Sequence, residues 1–178
     1  GVEMPWVVSG IGRNTAQVLA QREGRAIYGG TPADRSVIEA IAAIKASGKE
    51  VMFYPFLLME QMAENGLADP WSDAVDQPVL PWRGRITLAK APGQVGSADR
   101  SAKAEAEVAA FMGTTLVGDF RLTNGQVVYS GPQEWRYRRF ILHDAHLCAL
   151  AGGVDAFCIG SEMRGMTQVR GAGDSFPM

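Results

Sequence analysis

Glu162 is the residue in this chain best placed to do chemistry. It closes the stretch Gly152-Gly153-Val154-Asp155-Ala156-Phe157-Cys158-Ile159-Gly160-Ser161-Glu162, in which an apolar run reads as a buried strand that ends in a carboxylate. Where parallel strands alternate with helices, as in an α/β barrel, chemistry gathers at the C-terminal ends of the strands. A glutamate there is a candidate general acid. Cleavage of a glycosidic bond needs two carboxyl groups, one of them protonated at working pH, and burial at a barrel mouth can raise a Glu pKa enough for that role. Gly160 and Ser161 let the backbone turn and bring the carboxylate to the mouth. The same pattern also fits Glu162 as a helix cap or as an ion-pair partner of Arg164. Tyr54, Phe56, Trp71 and Trp82 offer faces on which sugar C–H groups can pack, and Arg83 and Arg85 offer forked donors for hydroxyl or carboxylate oxygens. Trp82 reads equally well as a plug that holds its loop in the core.

Other chemistries are poorly served. Gly10-x-Gly12 lacks the rest of a dinucleotide fingerprint, there is no phosphate-binding Walker loop, and Ser9 sits in no nucleophile elbow, so no cofactor is expected. His143 and His146 stand three apart on an expected helix without an H-E-x-x-H pattern; they read as polar residues at a helix–sheet contact, and no metal is expected. Cys148, in an apolar helical run, and Cys158, in the apolar strand, read as two free buried thiols.

The elements that must position these residues follow from local pattern. A short strand is expected at residues 6–9 and a helix over 13–22, ended by Gly24. Thr31-Pro32-Ala33-Asp34 opens the first clear helix, with Thr as cap, Pro at the first position and Asp at the positive end of the dipole. Val37, Ile38, Ile41 and Ile44 then give one apolar face, and Gly48 is the stop. Val51-Met52-Phe53-Tyr54 reads as a strand buried on both faces and ended by Pro55. Residues 60–100 hold four of the nine prolines and read as one long ordered loop over a binding mouth. A helix is expected over 99–112. A β-hairpin within 115–130 is expected to turn at Asn124-Gly125, and a long helix over 133–151 leads through Gly152-Gly153 into the strand at 154–159. Near the start of that helix Arg136, Arg138 and Arg139 oppose the dipole and are expected to reach carboxylates or solvent. Helix, turn and buried strand thus occur twice, the rhythm of a parallel α/β sheet.

With 178 residues, 47% hydrophobic and 20% charged, the chain suits one globular domain. A net charge of −2 gives no reason to expect nucleic acid or an anionic membrane surface, and no apolar run approaches the length of a membrane span. Gly1-Val2-Glu3-Met4-Pro5 lacks a basic stretch followed by an apolar one, so no signal peptide is expected there.

Several motifs in one order carry a more specific resemblance. Gly30-Thr31-Pro32-Ala33-Asp34 with Val51-Met52-Phe53-Tyr54-Pro55-Phe56, then Pro81-Trp82-Arg83-Gly84-Arg85-Ile86, then Tyr137-Arg138-Arg139-Phe140-Ile141-Leu142-His143, and finally Gly153 to Glu162 resemble a group of (β/α)8 glycoside hydrolases. More narrowly, they resemble the TIM-barrel-like domain of the large tail-tip (megatron, or host-specificity) proteins of phage-like gene transfer agents and related tailed phages. At Asp144 the family motif more often has an aromatic residue. The resemblance implies a glycoside-hydrolase-like barrel on a tail baseplate. That protein would be assembled in the cytoplasm and meet surface or cell-wall glycans, its partners being other tail proteins or the rest of a parent chain. Glu162 falls on the family's acid/base position at the end of the fourth barrel strand. Tyr54, Phe56, Trp82, Arg83 and Arg85 would contact the glycan.

The expectation is therefore a partial (β/α)8 TIM barrel with an inserted β-hairpin, lacking the first and the later strands. The nucleophile, on the seventh strand of active relatives, would lie outside this chain, which alone is expected to be inactive and to leave strand edges unburied. Two readings remain at this point, a retaining glycoside hydrolase when full length and a binding or purely structural tail module.

Overall fold

A computed structural model of the chain describes residues 20–22, 25–27, 32, 34–57, 59 and 63–177. The strand expected at 6–9, the Ser9 and Gly10-x-Gly12 motifs, most of the helix expected over 13–22 and the cap at Thr31 lie outside these residues. The described end of that helix is a strand instead. β1 (Ala20–Arg22) pairs antiparallel with β2 (Arg25–Ile27), Arg22 opposite Arg25. Two residues ending in glycine separate the strands in sequence, which suits a tight hairpin better than a helix stop.

α1 (Asp34–Ala46) has Asp34 in its first turn and Lys45 in its last, each complementing the helix dipole. Ile41 is buried on its apolar face, Val37 packs beside it, and Gly48 leaves the helix at φ +74°. β3 (Met52–Phe53) follows. It pairs in parallel with β6 (Ala156–Phe157), Met52 opposite Ala156 and Phe53 opposite Phe157, whose rings stack at 5.8 Å. The Val51 amide donates to Asp155 Oδ2 at 2.7 Å, so a side chain completes the ladder at its start.

α3 (Tyr137–Leu150) precedes β6 as α1 precedes β3. His143 Nε2 lies 3.1 Å from Asp34 at the start of α1, and Lys45 at its end donates to the carbonyls of Gly152 and Gly153 at 2.6 and 3.0 Å. The two helices therefore run in the same direction, as do the two strands. Ile41, Val51 and Cys148 form the small core between them.

This arrangement corrects one expectation. Met52, Tyr54 and Phe56 are 67%, 45% and 50% exposed, alternating with buried Val51, Pro55 and Leu57. β3 is buried on its helix-facing side alone, and among the described residues only β6 pairs with it. The strand that leads to Glu162 is likewise one-sided: Ile159 is 70% exposed. The architecture is mixed helix and strand, and the described residues form no closed barrel.

A larger core joins the remaining segments. Leu57, Met59, Ile86, Leu88, Ala104, Val108, Phe140, Met163, Met166 and Val169 pack together. Residues 63–100 thus supply core side chains as well as surface, with a 3-10 turn at Arg83–Arg85. α2 (Ala102–Met112) begins after the extended Ser101, since Asp99 is engaged in accepting the Arg170 amide at 2.8 Å. The expected hairpin is β4 (Phe120–Thr123) with β5 (Gln126–Tyr129); Asn124 at φ +52° and Gly125 at φ +72° make its turn.

α3 starts later than its sequence pattern implies. The Glu134 carboxylate is buried, accepting both the amide and the hydroxyl hydrogens of Thr114 and Thr115. Burial opposes ionisation of this carboxyl, but those bonds outweigh it and hold its pKa below the ordinary range. Of the three arginines, Arg136 lies 3.8 Å from the Glu134 carboxylate and Arg138 is exposed. Arg139 lies between the rings of Tyr129 and Trp135, at 3.8 and 3.9 Å from their centroids.

Candidate functional site

The chain that leaves β6 reaches Glu162 through Ile159, Gly160 and Ser161. Tyr137 Oη donates to the Ile159 carbonyl at 2.7 Å, fixing this exit to the start of α3. Burial raises the Tyr137 phenol to about 12, so it stays a donor at any physiological pH. Glu162 itself has φ +52°, a left-handed conformation that a residue with a Cβ adopts at a cost. Met163, at the N-cap of α4 (Arg164–Thr167), and Met166 within it enter the larger core, so the strained residue is followed by buried neighbours.

Arg83 meets this turn from the other side. Its Nε donates to the Ser161 carbonyl at 3.1 Å and to Ser161 Oγ at 3.3 Å; its Nη2 donates to Ser161 Oγ at 3.1 Å and pairs with Glu162 Oε2 at 2.5 Å. Trp82 Nε1 donates to the same Oε2 at 3.2 Å. The guanidinium also lies over the Phe56 ring, 4.5 Å from its centroid. Phe56 follows β3 and Glu162 follows β6, so Arg83 joins the C-terminal ends of the two parallel strands.

Two glycines make this approach possible. A Cβ on Gly84 would lie 2.3 Å from the Trp82 ring, so its hydrogen is what lets the indole fold back toward Glu162. A Cβ on Gly165, in α4, would lie 2.4 Å from the Ile86 carbonyl oxygen and 2.8 Å from that of Gly84. Backbone thus packs on backbone directly behind the Arg83–Glu162 pair.

Of the residues singled out from sequence, Phe56, Trp82, Arg83 and Glu162 come together. Glu162 pairs with Arg83, neither capping a helix nor relying on Arg164, and its side chain is 52% exposed, without the burial expected of a proton-holding acid. Trp82 is 47% exposed rather than a core plug. Tyr54 is half-exposed on the strand that leads to Phe56. Arg85 points elsewhere. Its Nη2 forks onto both Asp69 oxygens at 2.8 and 2.9 Å, and its carbonyl accepts the Trp71 indole N–H at 2.8 Å. Burial disfavours the Asp69 anion, yet the Ser72 hydroxyl, the Trp71 amide and Arg85 together hold its carboxyl below the ordinary range.

Sequence reading missed Asp69, Gly165 and the role of Ser161 as acceptor for Arg83. Asp69-Pro70-Trp71-Ser72 carries a usable signal, an aspartate whose oxygens can cap the turn that follows. Ser161 and Gly165 carry none, because their partners lie 78 positions away. His146 stacks on Phe120 at 4.7 Å and contacts the Leu142 carbonyl, away from His143, and among the described residues no group of His, Cys, Asp and Glu is placed to hold a metal ion. Both cysteines are free. Cys148 is buried, its thiol pushed up to about 11 first by burial and then by Asp144; Cys158, expected to be buried, is only half-buried beside the open face of β6.

Asp144 is buried although the family motif favours an aromatic there, and its Oδ2 has no hydrogen-bond partner. Burial pushes this carboxyl up to about 7, with His143 opposing and Asp34 adding to the shift.

Residues 135–178 match the GTA TIM-barrel-like domain, a span that covers α3, β6, Ser161, Glu162 and α4. No curated protein and no solved structure gives a significant match.

Proposed function

We propose that this chain belongs to the glycan-contacting tail tip of a phage-like particle, a reading supported by the match of residues 135–178 to the GTA TIM-barrel-like domain. The observation that carries the reading is the meeting of Trp82, Arg83 and Glu162 beside Phe56. Half-exposed rings next to a fixed carboxylate suit a sugar, whose C–H face packs on an aromatic and whose hydroxyls donate to the acid. β3 and β6, with α1 and α3 on one side, are read as consecutive units of a glycoside-hydrolase-like (β/α)8 barrel. The open side of the two strands would then face the barrel interior, supplied by the rest of a parent chain or by other tail proteins. No helix among the described residues is long and apolar enough to cross a membrane.

The test is binding of purified cell-surface polysaccharides to the chain and to Trp82→Ala. Loss of retention in the variant supports the reading; equal retention, or none by either, refutes it.

A second reading, retaining glycoside hydrolysis with Glu162 as acid/base, is favoured by the position of Glu162 just past a parallel strand. Reducing-sugar release by the parent protein, abolished by Glu162→Gln, would support it. Equal release from both would remove Glu162 from the mechanism.

A further inference from the structure

The charges at this site are stacked by depth. Arg83 is the inner member of the pair, its side chain 16% exposed; Glu162 is the outer member, 52% exposed. The guanidinium is directed inward, onto the Ser161 carbonyl, Ser161 Oγ and the Phe56 ring. Arg85, the other arginine of the motif, is forked onto buried Asp69. Both guanidinium groups that could have gripped an anionic ligand are thus committed to the protein's own carboxylates. What the exposed Trp82 ring has beside it is a carboxylate, and Phe56, also exposed, lies under the inward-turned Arg83.

From this order of charges we infer that the site selects uncharged saccharides and rejects acidic ones. The inference rests on the glycan-contact reading and adds the ligand class to it. A neutral sugar donates its hydroxyls to Glu162 while a ring packs on its C–H face. A uronate meets the Glu162 carboxylate first and finds its natural partner, a guanidinium fork, already filled. Specificity here comes from a repulsive element built into the site.

The experiment titrates the chain with neutral gluco- and manno-hexaoses and with an oligogalacturonate of the same length, following tryptophan fluorescence at low and high salt. The neutral ligands are expected to bind at least about tenfold more tightly at low salt, the size of a contact-range charge effect near a protein surface. High salt should narrow that gap by strengthening the acidic ligand alone. In Glu162→Gln the acidic ligand should gain about tenfold, since the Arg83 fork is freed, and should then weaken with salt. Arg164→Ala, which removes the exposed cation two residues further on, should leave the preference unchanged. Acidic ligand bound as tightly as neutral, or a preference indifferent to Glu162→Gln, overturns this inference and leaves glycan contact standing. Binding of neither class overturns glycan contact itself.

Discussion

Replacing Asp144 by asparagine should stabilise the protein, and by more at pH 8 than at pH 5. The carboxyl is 7% exposed on the inner side of α3, with one oxygen unpartnered. Burial is the main cause of its displacement from 3.8 to about 7; the charge of Asp34 adds to it and that of His143 opposes it. The folded state therefore holds this proton more tightly than the unfolded chain does. Its contribution to stability is complete below about pH 4, is lost as pH rises, and is gone above about pH 7. A displacement of this size is worth about 4 kcal/mol at ~1.4 kcal/mol per pH unit, and half that if the chain relaxes around the charge. Asparagine keeps the shape and cannot ionise, so the variant lacks this slope. The assay is urea unfolding of both proteins at pH 5 and pH 8, with equal m-values confirming that only stability has changed. Asp34→Asn with Asp144 retained should reduce the slope without abolishing it. If the difference between wild type and Asp144→Asn is the same at pH 5 and pH 8, the carboxyl is not held protonated in the fold and the reasoning fails.

Gly165→Ala should force its new methyl against the carbonyl oxygens of Ile86 and Gly84, costing about 1–3 kcal/mol; thermal unfolding measures the loss, and the Trp82 indole resonance should shift as its bond to Glu162 lengthens. Glu134→Ala should leave the buried Thr115 amide and hydroxyl without their acceptor and cost about 2–4 kcal/mol by urea unfolding. Because the Glu134 carboxyl is held below its ordinary value of 4.5, wild type should lose this stabilisation as pH falls below that value, and the variant should not.

The parts of the fold legible in sequence are those whose causes are local. Asn124-Gly125 can scarcely be anything but a tight turn between paired strands, and the spacing of Val37 and Ile41 sets the inner face of α1, although Ile44, on the same pattern, is exposed. The run Val51 to Tyr54 is apolar throughout, so it says nothing about whether one face or two is covered; that depends on what lies beside β3. At the site, sequence named Glu162, Trp82 and Arg83 by residue type but could not pair them. Arg83 and Arg85 are two residues apart and look alike, yet one turns to Glu162 and the other to Asp69. The choice is made by Gly84, Gly165 and the tilt of the turn between them, a matter of three-dimensional approach. Asp144 was visible as a departure from a motif, but its burial was not, because an aspartate in a helix ordinarily faces water.

The ladder between β3 and β6 also sets a timetable. Val51 and Asp155, which close its first bond, are 104 positions apart. At ribosomal speeds of ~5–20 residues per second the earlier strand waits roughly 5–20 s for its partner to be made. During that interval the β4–β5 hairpin and α2 can form from their own neighbours, whereas the edge of β3 that pairs with β6 stays open. Crowded translation of this chain is thus exposed to mispairing at β3, and a pause before α3 would lengthen the hazard.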